Sequence, residues 1–422
     1  QTSRFEKLME HIMRFILSTL LAVGFFFITP LHAQTNQSQE IIELRAQIMQ
    51  LSNRLARIEQ GMTGEVAAID VDEGDSVAIV LGSQPTELED SDKFRLAGDL
   101  RYRHESIDDA LYSTRNRHRI RARMSVTTTV AENTNMVFGV STGPSTNDSG
   151  NQTFDEGFSY KPIGVDLAYF NWGVTDNVSI LGGKMPSPFF RPIGYHLIYD
   201  SDIRPEGLAA KYQSGSFFGN ASAFWAEERA GDPDSMLFGL QGGYRGSLSH
   251  GLELTAGVSY FETTHMKGRA PLFTPSNGQG NQLDINGNYL YGFSEFNMFS
   301  ELRFDLGGEP TTFFADYVSN TEAVVFDDGY AVGITYGGVS SPGDWSLGYI
   351  YQDLGANAVV GAFSDSDFAG GTSDGRGHTF QTGYILQNGW NFAVRFVSGE
   401  RGEAAGKKRD YNRLMADVSF RY

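Results

Sequence analysis

Arginine recurs at every second position along two neighbouring segments, which we call the arginine ladder. Its members are Arg101, Arg103, Arg115, Arg117, Arg119, Arg121 and Arg123, and Arg95 has the same parity as the first two. Successive side chains of a β-strand point to opposite faces, so each segment carries its arginines on one face. A row of guanidinium groups makes a strongly positive wall that attracts anions.

A second polar set follows in the segment 187–202. Its candidate residues are Phe189, Phe190, Arg191, His196, Asp200 and Asp202, with Arg204 and Glu206 just after. A basic wall facing acidic loop groups would create a transverse field that orients dipolar solutes and sorts ions. In the alternative interpretation, inward-facing acids neutralise the arginines, which then only fill a wet wall. These acids are Asp99, Asp166, Glu295, Glu301, Asp316 and Asp417. The sequence leaves both interpretations open.

No catalytic constellation is evident in the sequence. The eight His residues are scattered singly, Cys is absent, and neither a metalloprotease motif nor a nucleophile elbow occurs. The pairs Asp200-Ser-Asp202 and Asp365-Ser-Asp367 could hold a hard cation, but two carboxylates specify little, and a solvated loop tip is favoured. We therefore expect no enzyme activity, no cofactor and no metal site.

Composition narrows the class of protein. The 422 residues include 49 Gly, 31 Phe and 19 Tyr, which is typical of many strands joined by turns. With 33 basic and 51 acidic residues, the net charge of −18 argues against nucleic-acid binding. A mean hydropathy of −0.29 excludes a helical membrane bundle.

The elements that position the ladder are long strands with period-two hydrophobicity. The sequence predicts sixteen, at about 93–104, 115–130, 133–142, 163–174, 176–186, 203–213, 216–226, 235–248, 252–263, 291–305, 311–320, 330–338, 343–353, 376–388, 390–398 and 410–422. Short and long connections alternate between them, as in transmembrane barrels. Most strands are long enough to span a bilayer when tilted. The prediction is an all-β, sixteen-stranded antiparallel transmembrane β-barrel rather than a soluble β-sandwich.

The barrel requires the ladder to face inward. Arginine on the lipid face at the bilayer midplane would cost about 2–4 kcal/mol per residue. A hairpin centred near Ala110 places Arg103 opposite Arg117 and Asp99 opposite Arg121.

The amino-terminal region predicts export and self-association. Residues 1–33 are interpreted as upstream residues and a signal peptide, because the apolar run 15–28 has a basic flank before it and Ala33 after it. Apolar residues at heptad spacing in 34–62 predict a periplasmic coiled coil, with an amphipathic helix on its own protein as the alternative. Residues 63–92 contain nine acids and no Lys or Arg, which predicts an acidic linker before a barrel at 93–422.

Five stretches of the chain resemble a known family. They are Gly98-Asp-Leu-Arg-Tyr-Arg103, Arg115-Asn-Arg-His-Arg-Ile-Arg-Ala-Arg123, Asp166-Leu-Ala-Tyr-Phe170, Gly182-Gly-Lys-Met-Pro186 with Pro188-Phe-Phe-Arg-Pro192, and Pro205-Glu-Gly-Leu-Ala209. The chain is similar over nearly its whole length to Gram-negative general porins, and more narrowly to the "putative porin" family. Its end, with Val418, Phe420 and Tyr422 on one face, resembles the signal read by the barrel-insertion machinery, where Phe is more usual than Tyr.

The resemblance implies a cell outer-membrane porin of a Gram-negative bacterium. Expected partners are outer-membrane lipid and small hydrophilic solutes or ions, with a homotrimer as the oligomer. It also implies that the third long loop narrows the pore. The arginines inside the pore, at Arg101, Arg103, Arg117, Arg119, Arg121 and Arg123, predict anion preference. Alternatives are a plugged barrel that anchors the coiled coil and, less favoured, an outer-membrane barrel enzyme.

Overall fold

A computed structural model describes residues 94–143, 146–155, 157–249, 251–273 and 277–422. The predicted signal peptide, coiled coil and linker lie outside the described residues. The strands are β1 Phe94–Asp109, β2 Arg115–Ala131, β3 Thr134–Thr142, β4 Gln152–Thr153, β5 Ile163–Thr175, β6 Val178–Lys184, β7 Glu206–Ser214, β8 Phe217–Glu227, β9 Ser235–Ser249, β10 Leu252–Thr263, β11 Phe293–Leu306, β12 Glu309–Asn320, β13 Asp328–Gly337, β14 Trp345–Leu354, β15 Gly375–Gln387, β16 Trp390–Arg401 and β17 Arg409–Arg421. Two short 3₁₀ helices, Pro192–Gly194 and Gly361–Phe363, lie in loops. Among the described residues, no helix is long and apolar enough to cross a membrane.

The sheet closes on itself. Apart from β4, each strand pairs antiparallel with the next, and β17 pairs with β1 from Asp99↔Arg421 to Asp109↔Tyr411. The short β4 belongs to a loop and pairs with two residues of β2. Closure satisfies the backbone groups that lipid cannot. The predicted sixteen-stranded antiparallel barrel is confirmed.

The first hairpin differs from the prediction in register. β1 continues to Asp109, and Arg103 lies opposite Arg119 while Asp99 lies opposite Arg123. The predicted pairing is wrong by two residues. The physical reason is that residues 105–109 pair through their backbone with β17. The strand β1 therefore extends to Asp109, and the centre of the turn moves to Leu111.

Loops at one end of the barrel are mostly long, and turns at the other end are mostly short. The loops are L1 110–114, L2 143–162, L3 185–205, L4 228–234, L5 264–292, L6 321–327, L7 355–374 and L8 402–408. The turns have two residues each, except the turn 338–344 with seven. That turn is longer than L1, so the predicted alternation holds except at these two connections. Both ends of the described barrel lie on the turn side.

Part of the core lies inside the barrel, where L3 and L7 pack against inward-facing side chains. Tyr195 and Leu197 of L3 and Val359 of L7 are buried in one apolar cluster with Phe314 of β12 and Ile350 of β14. Apolar side chains such as Leu240 and Phe380 are exposed on the outer face, as lipid contact requires. The lumen next to β9–β14 is therefore occupied by loop side chains rather than by open space.

Candidate functional site in the barrel lumen

The arginine ladder lies on the inner face of β1 and β2. Arg101, Arg103, Arg119 and Arg121 are buried, and Arg117 and Arg123 are half-buried. The alternation that places them inward places Leu100, Ile120 and similar side chains outward.

Carboxylates of the barrel wall form ion pairs with the arginines of the ladder. Arg103 donates from Nε and Nη2 to the two carboxylate oxygens of Asp417, at 2.7 and 2.8 Å. Glu105 has no exposed surface and accepts from Arg119 Nη1 at 3.3 Å and Arg413 Nη2 at 3.1 Å. It also accepts from Arg117 Nε. Sequence reasoning missed Glu105 because it ended the first strand at residue 104, five residues before the observed end.

Asp99 neutralises the other end of the ladder. It accepts from Arg121 Nη2 at 2.9 Å and from Arg123 Nε at 2.6 Å. Asp202, at the end of L3, lies 3.7 Å from the Arg121 guanidinium and 3.6 Å from that of Arg123. The acidic end of L3 therefore contacts the basic wall by direct ion pairing.

Acids of L7 also reach the ladder region. Asp367 lies 2.9 Å from Arg103 Nη1 and 2.8 Å from Arg413 Nη2, and Asp365 accepts from Arg395 Nη2 at 3.0 Å. The repeated Asp-Ser-Asp pattern was the only sequence signal for these contacts. It could not show that L7 folds inward.

The six acids considered as neutralising groups fall into three sets by their partners. Asp99 and Asp417 pair with the ladder, whereas Asp166 pairs with Arg204 at 3.3 Å. The remaining three, on β11 and β12, are Glu295, Glu301 and Asp316, and they accept from Val360 N, Ile193 N and Asn297 Nδ2 respectively. Two of these three acids therefore hold L3 and L7 against the wall, and none of the three pairs with the ladder.

The aromatic end of L3 is fixed to β9. Gln241 accepts from Phe190 N at 2.7 Å and donates to Phe190 O at 3.0 Å. Phe189 packs edge-on against Phe261, with ring centroids 4.8 Å apart. The guanidinium of Arg245 lies 5.2 Å from the Phe190 ring centroid, a cation–π distance.

The acidic end of L3 contacts L7. The backbone N–H of Ser366 donates to Asp200 at 2.7 Å, and His196 Nδ1 lies 3.9 Å from Asp365 Oδ1. Arg191, also in L3, donates to Tyr199 O at 3.1 Å. L3 therefore crosses the lumen from β9 to the ladder and is held at both ends.

The two carboxyl groups at this end of L3 differ in their electrostatics. Burial raises the pKa of Asp200 well above its usual range, and the charges of Asp202 and Asp365 raise it further. Burial acts in the same direction on Asp202, but Arg121 and Arg123 outweigh it and hold the pKa of Asp202 below its usual range. Asp202 is therefore the acid of L3 that carries a charge towards the ladder.

A cavity of about 390 Å³ remains between L2, L3 and the wall made by β2–β9. Its charged lining residues are Arg123, Asp166, Lys184, Asp202, Arg204 and Glu206. Lys184 pairs with Glu206 at 2.7 Å, and the charged residues share the lining with apolar side chains such as Phe224 and Leu237. Asp202, at the acidic end of L3, is therefore in contact with this open space.

A second group of basic residues faces the lumen on the turn side. By alternation with buried inward neighbours, this turn-side basic set consists of Arg95, Lys211, Arg245, Arg303 and Arg421. Inward acids at similar depth are Glu253 and Asp305. Neither Arg95 nor Lys211 forms an ion pair with the described residues. The sequence prediction considered only Arg95 of this set, because the others occur singly on separate strands.

Comparison with known proteins agrees with this architecture. The family model described as "Putative porin" matches residues 107–288 and 281–422. The chain belongs to that family. No curated protein matches the chain.

Solved outer-membrane barrels share the fold. A high-pH structure of Pseudomonas putida OprB is 12% identical, with a TM-score of 0.52 over 78% of this chain and 94% of that chain. Salmonella typhi OmpF in complex with daunomycin is also 12% identical, with a TM-score of 0.49 over 78% and 97%. Vibrio cholerae OmpT in its trimer form is 15% identical, with a TM-score of 0.44 over 78% and 100%. The last two scores are below one half, so the fold comparison depends on the first. Family and fold together support an outer-membrane porin.

Proposed function

We propose that the protein passes small hydrophilic solutes or ions across the bacterial outer membrane by diffusion, and that it is not an enzyme. The observation that carries this proposal is the cavity with charged lining residues between L3 and the β2–β9 wall, inside a closed barrel. L3 and L7 fill the opposite side of the lumen, so the passage runs along β2–β9 and is narrow.

Conductance in planar bilayers tests this function. The refolded full chain is expected to produce discrete current steps in salt solution. Absence of steps, from protein whose barrel is folded by circular dichroism, would contradict it.

We propose a weak anion preference that depends on the turn-side basic set more than on the ladder. The ladder is paired with Asp99, Glu105, Asp417 and loop acids, and closely spaced opposite charges produce only a short-range field. Arg95 and Lys211 lack such partners among the described residues. Low-dielectric walls focus their field within the lumen.

The plugged anchor is the second candidate function. The apolar cluster formed by L3, L7 and the wall favours it, because Phe314, Val318 and Ile350 face a packed interior instead of solvent. In this case the coiled coil at 34–62 would be the functional part and the barrel its membrane anchor. The same bilayer experiment distinguishes the two functions, since a plugged barrel gives no steps.

We also propose that the chain is exported by the signal peptide within residues 1–33, that the coiled coil at 34–62 lies in the periplasm, and that the linker 63–92 joins it to the barrel. The heptad pattern supports self-association without specifying a trimer. A homotrimer is proposed here on the resemblance of the chain to general porins and on its family.

A further inference from the structure

Three metal-ligating side chains meet where L3 touches L7. His196 and Asp200 come from L3 and Asp365 comes from L7, and all three are buried. One ligand atom from each lies within 4.8 Å of the others. Residues 165 positions apart in the sequence are therefore brought together by the two loops that fill the lumen.

Asp200 lacks a balancing charge. It is 2% exposed, accepts from the backbone N–H groups of Asp202 and Ser366 at 2.8 and 2.7 Å, and has no ion pair among the described residues. Asp202 and Asp365, in contrast, each face guanidinium groups. Burying an ionised carboxylate is costly unless a positive charge accompanies it.

His196 supplies a neutral ligand at the same place. Its side chain is buried, with Nδ1 3.9 Å from Asp365 Oδ1. In the described part of the chain, Nε2 is buried and has no hydrogen-bond partner. A buried imidazole nitrogen without a partner is a group that a metal ion can satisfy, and imidazole is a preferred ligand of Zn²⁺, Cu²⁺, Fe²⁺ and Ni²⁺.

We propose that His196, Asp200 and Asp365 bind a divalent transition-metal cation, which links L3 to L7. The donor set of one imidazole and two carboxylates suits Zn²⁺, with water or a backbone carbonyl completing the coordination. The cation provides the positive charge that Asp200 lacks. The lining of the neighbouring cavity includes Tyr199, Asp202 and Phe363, so the cation can arrive through that cavity.

Bound metal would act on the loops rather than on solute. Asp365 is also paired with Arg395, so a cation on Asp365 and Asp200 joins L3, L7 and β16 in one connected unit. A ligand that binds the folded state alone stabilises it, so the thermal unfolding temperature should rise with Zn²⁺ concentration. This inference goes beyond diffusion through the barrel and does not depend on it.

Zinc titration of the tag-free, metal-stripped full chain in detergent tests the site. Calorimetry is expected to show one Zn²⁺ per chain. The variants Asp200→Asn and His196→Gln should each bind at least about tenfold more weakly, since even residues that only support metal ligands have effects of that size. His265→Gln is the matched control, because His265 lies exposed in L5; its affinity should equal that of the wild type.

X-ray absorption on the zinc-loaded wild type keeps the test independent of whether the variants fold. One imidazole nitrogen with oxygen ligands at about 2.0–2.2 Å is expected. Three results would overturn the proposal. They are the absence of saturable Zn²⁺ binding to the folded wild type, an unchanged Zn²⁺ affinity in both folded ligand variants, and a Zn²⁺ coordination shell that contains no imidazole or several imidazoles. None of these results tests the proposed diffusion function, because none of them measures conductance.

Discussion

At the scale of single residues, Glu105 is the centre of the charge network. It has no exposed surface and lies within ion-pair distance of Arg103, Arg117, Arg119 and Arg413. Burying four guanidinium groups, fully or in part, around one carboxylate is compatible with a stable fold only while that carboxylate is charged. The contribution of Glu105 is therefore electrostatic balance, and the network fixes β1, β2 and β17 to one another.

Glu105→Gln is expected to destabilise the barrel. The substitution keeps the side-chain volume but removes the charge that balances several arginines. Breaking a buried ion pair by removing one partner costs about 3–5 kcal/mol in the free energy of unfolding. Urea unfolding of the refolded barrel, followed by tryptophan fluorescence, measures the change.

Glu400→Gln is the matched control for that experiment. Glu400 pairs with Arg376 and Lys408 on the solvent-exposed side of the loop end. Exposed ion pairs contribute little, so the unfolding midpoint should stay near that of the wild type. Equal midpoints for the two variants would show that the Glu105 network does not stabilise the barrel.

The ion preference is tested on Arg95 and Lys211. Changing both to Gln removes two inward positive charges that have no ion-pair partner among the described residues. The reversal potential under a salt gradient should shift towards the cation equilibrium potential. Lys407→Gln with Lys408→Gln is the control, because charges at a loop tip are screened within about 8 Å at physiological ionic strength. An equal or larger shift in the control would show that charged groups at the loop end of the barrel determine the ion selectivity.

At the scale of elements, L3 crosses the lumen and, together with L7, fills part of it. It is held at Phe190 by Gln241 and at Asp202 by the ladder. The strands themselves follow from period-two hydrophobicity, and their predicted ends mostly lie within three residues of the observed ones. L3 has no such periodicity, and its path depends on contacts with residues 50 to 160 positions away, such as Gln241 and Gln352.

The same limit applies to the candidate site. Strand alternation was enough to predict that the ladder arginines face inward, because a lipid-facing arginine is so costly. The partners from L7, Asp365 and Asp367, could not be predicted, since a loop carries no pattern that tells whether it folds into the lumen or away from it. Glu105 was missed for a smaller reason, a strand end misplaced by five residues.

Gln241→Met should loosen L3. Methionine has a similar volume but cannot bond both backbone groups of Phe190, so this end of the loop loses its anchor. We expect larger and more variable single-channel currents with the barrel still folded. Gln213→Met, on the exposed inner face of β7, is the matched control and should behave as the wild type. Currents from Gln241→Met that match the wild type would show that the aromatic contacts alone hold L3.

At the scale of the whole molecule, the described barrel is asymmetric. One side of the lumen is packed by loops around an apolar cluster, and the other retains the cavity beside β2–β9. The barrel closes through the described strands β1 and β17, which pair from Asp99↔Arg421 to Asp109↔Tyr411. We therefore expect barrel folding to be separable from the predicted coiled coil.

Deleting residues 34–62 is expected to weaken self-association while the barrel still assembles. The heptad residues lie outside the described barrel, whose pairing is complete without them. Analytical ultracentrifugation in detergent measures the oligomer, and circular dichroism measures the barrel. A truncated chain that no longer inserts would reveal a folding role for this segment.

The central claim is that solutes pass along the β2–β9 wall, and single-channel conductance tests it most directly. Ser141 faces the cavity opposite Arg123, so Ser141→Trp places a large side chain in the passage. The wild type should give discrete current steps, and this variant should give clearly smaller ones. Ser398→Trp, on the lipid face of β16, should match the wild type. Absence of steps from the folded wild type, or equal steps in Ser141→Trp, would contradict the account.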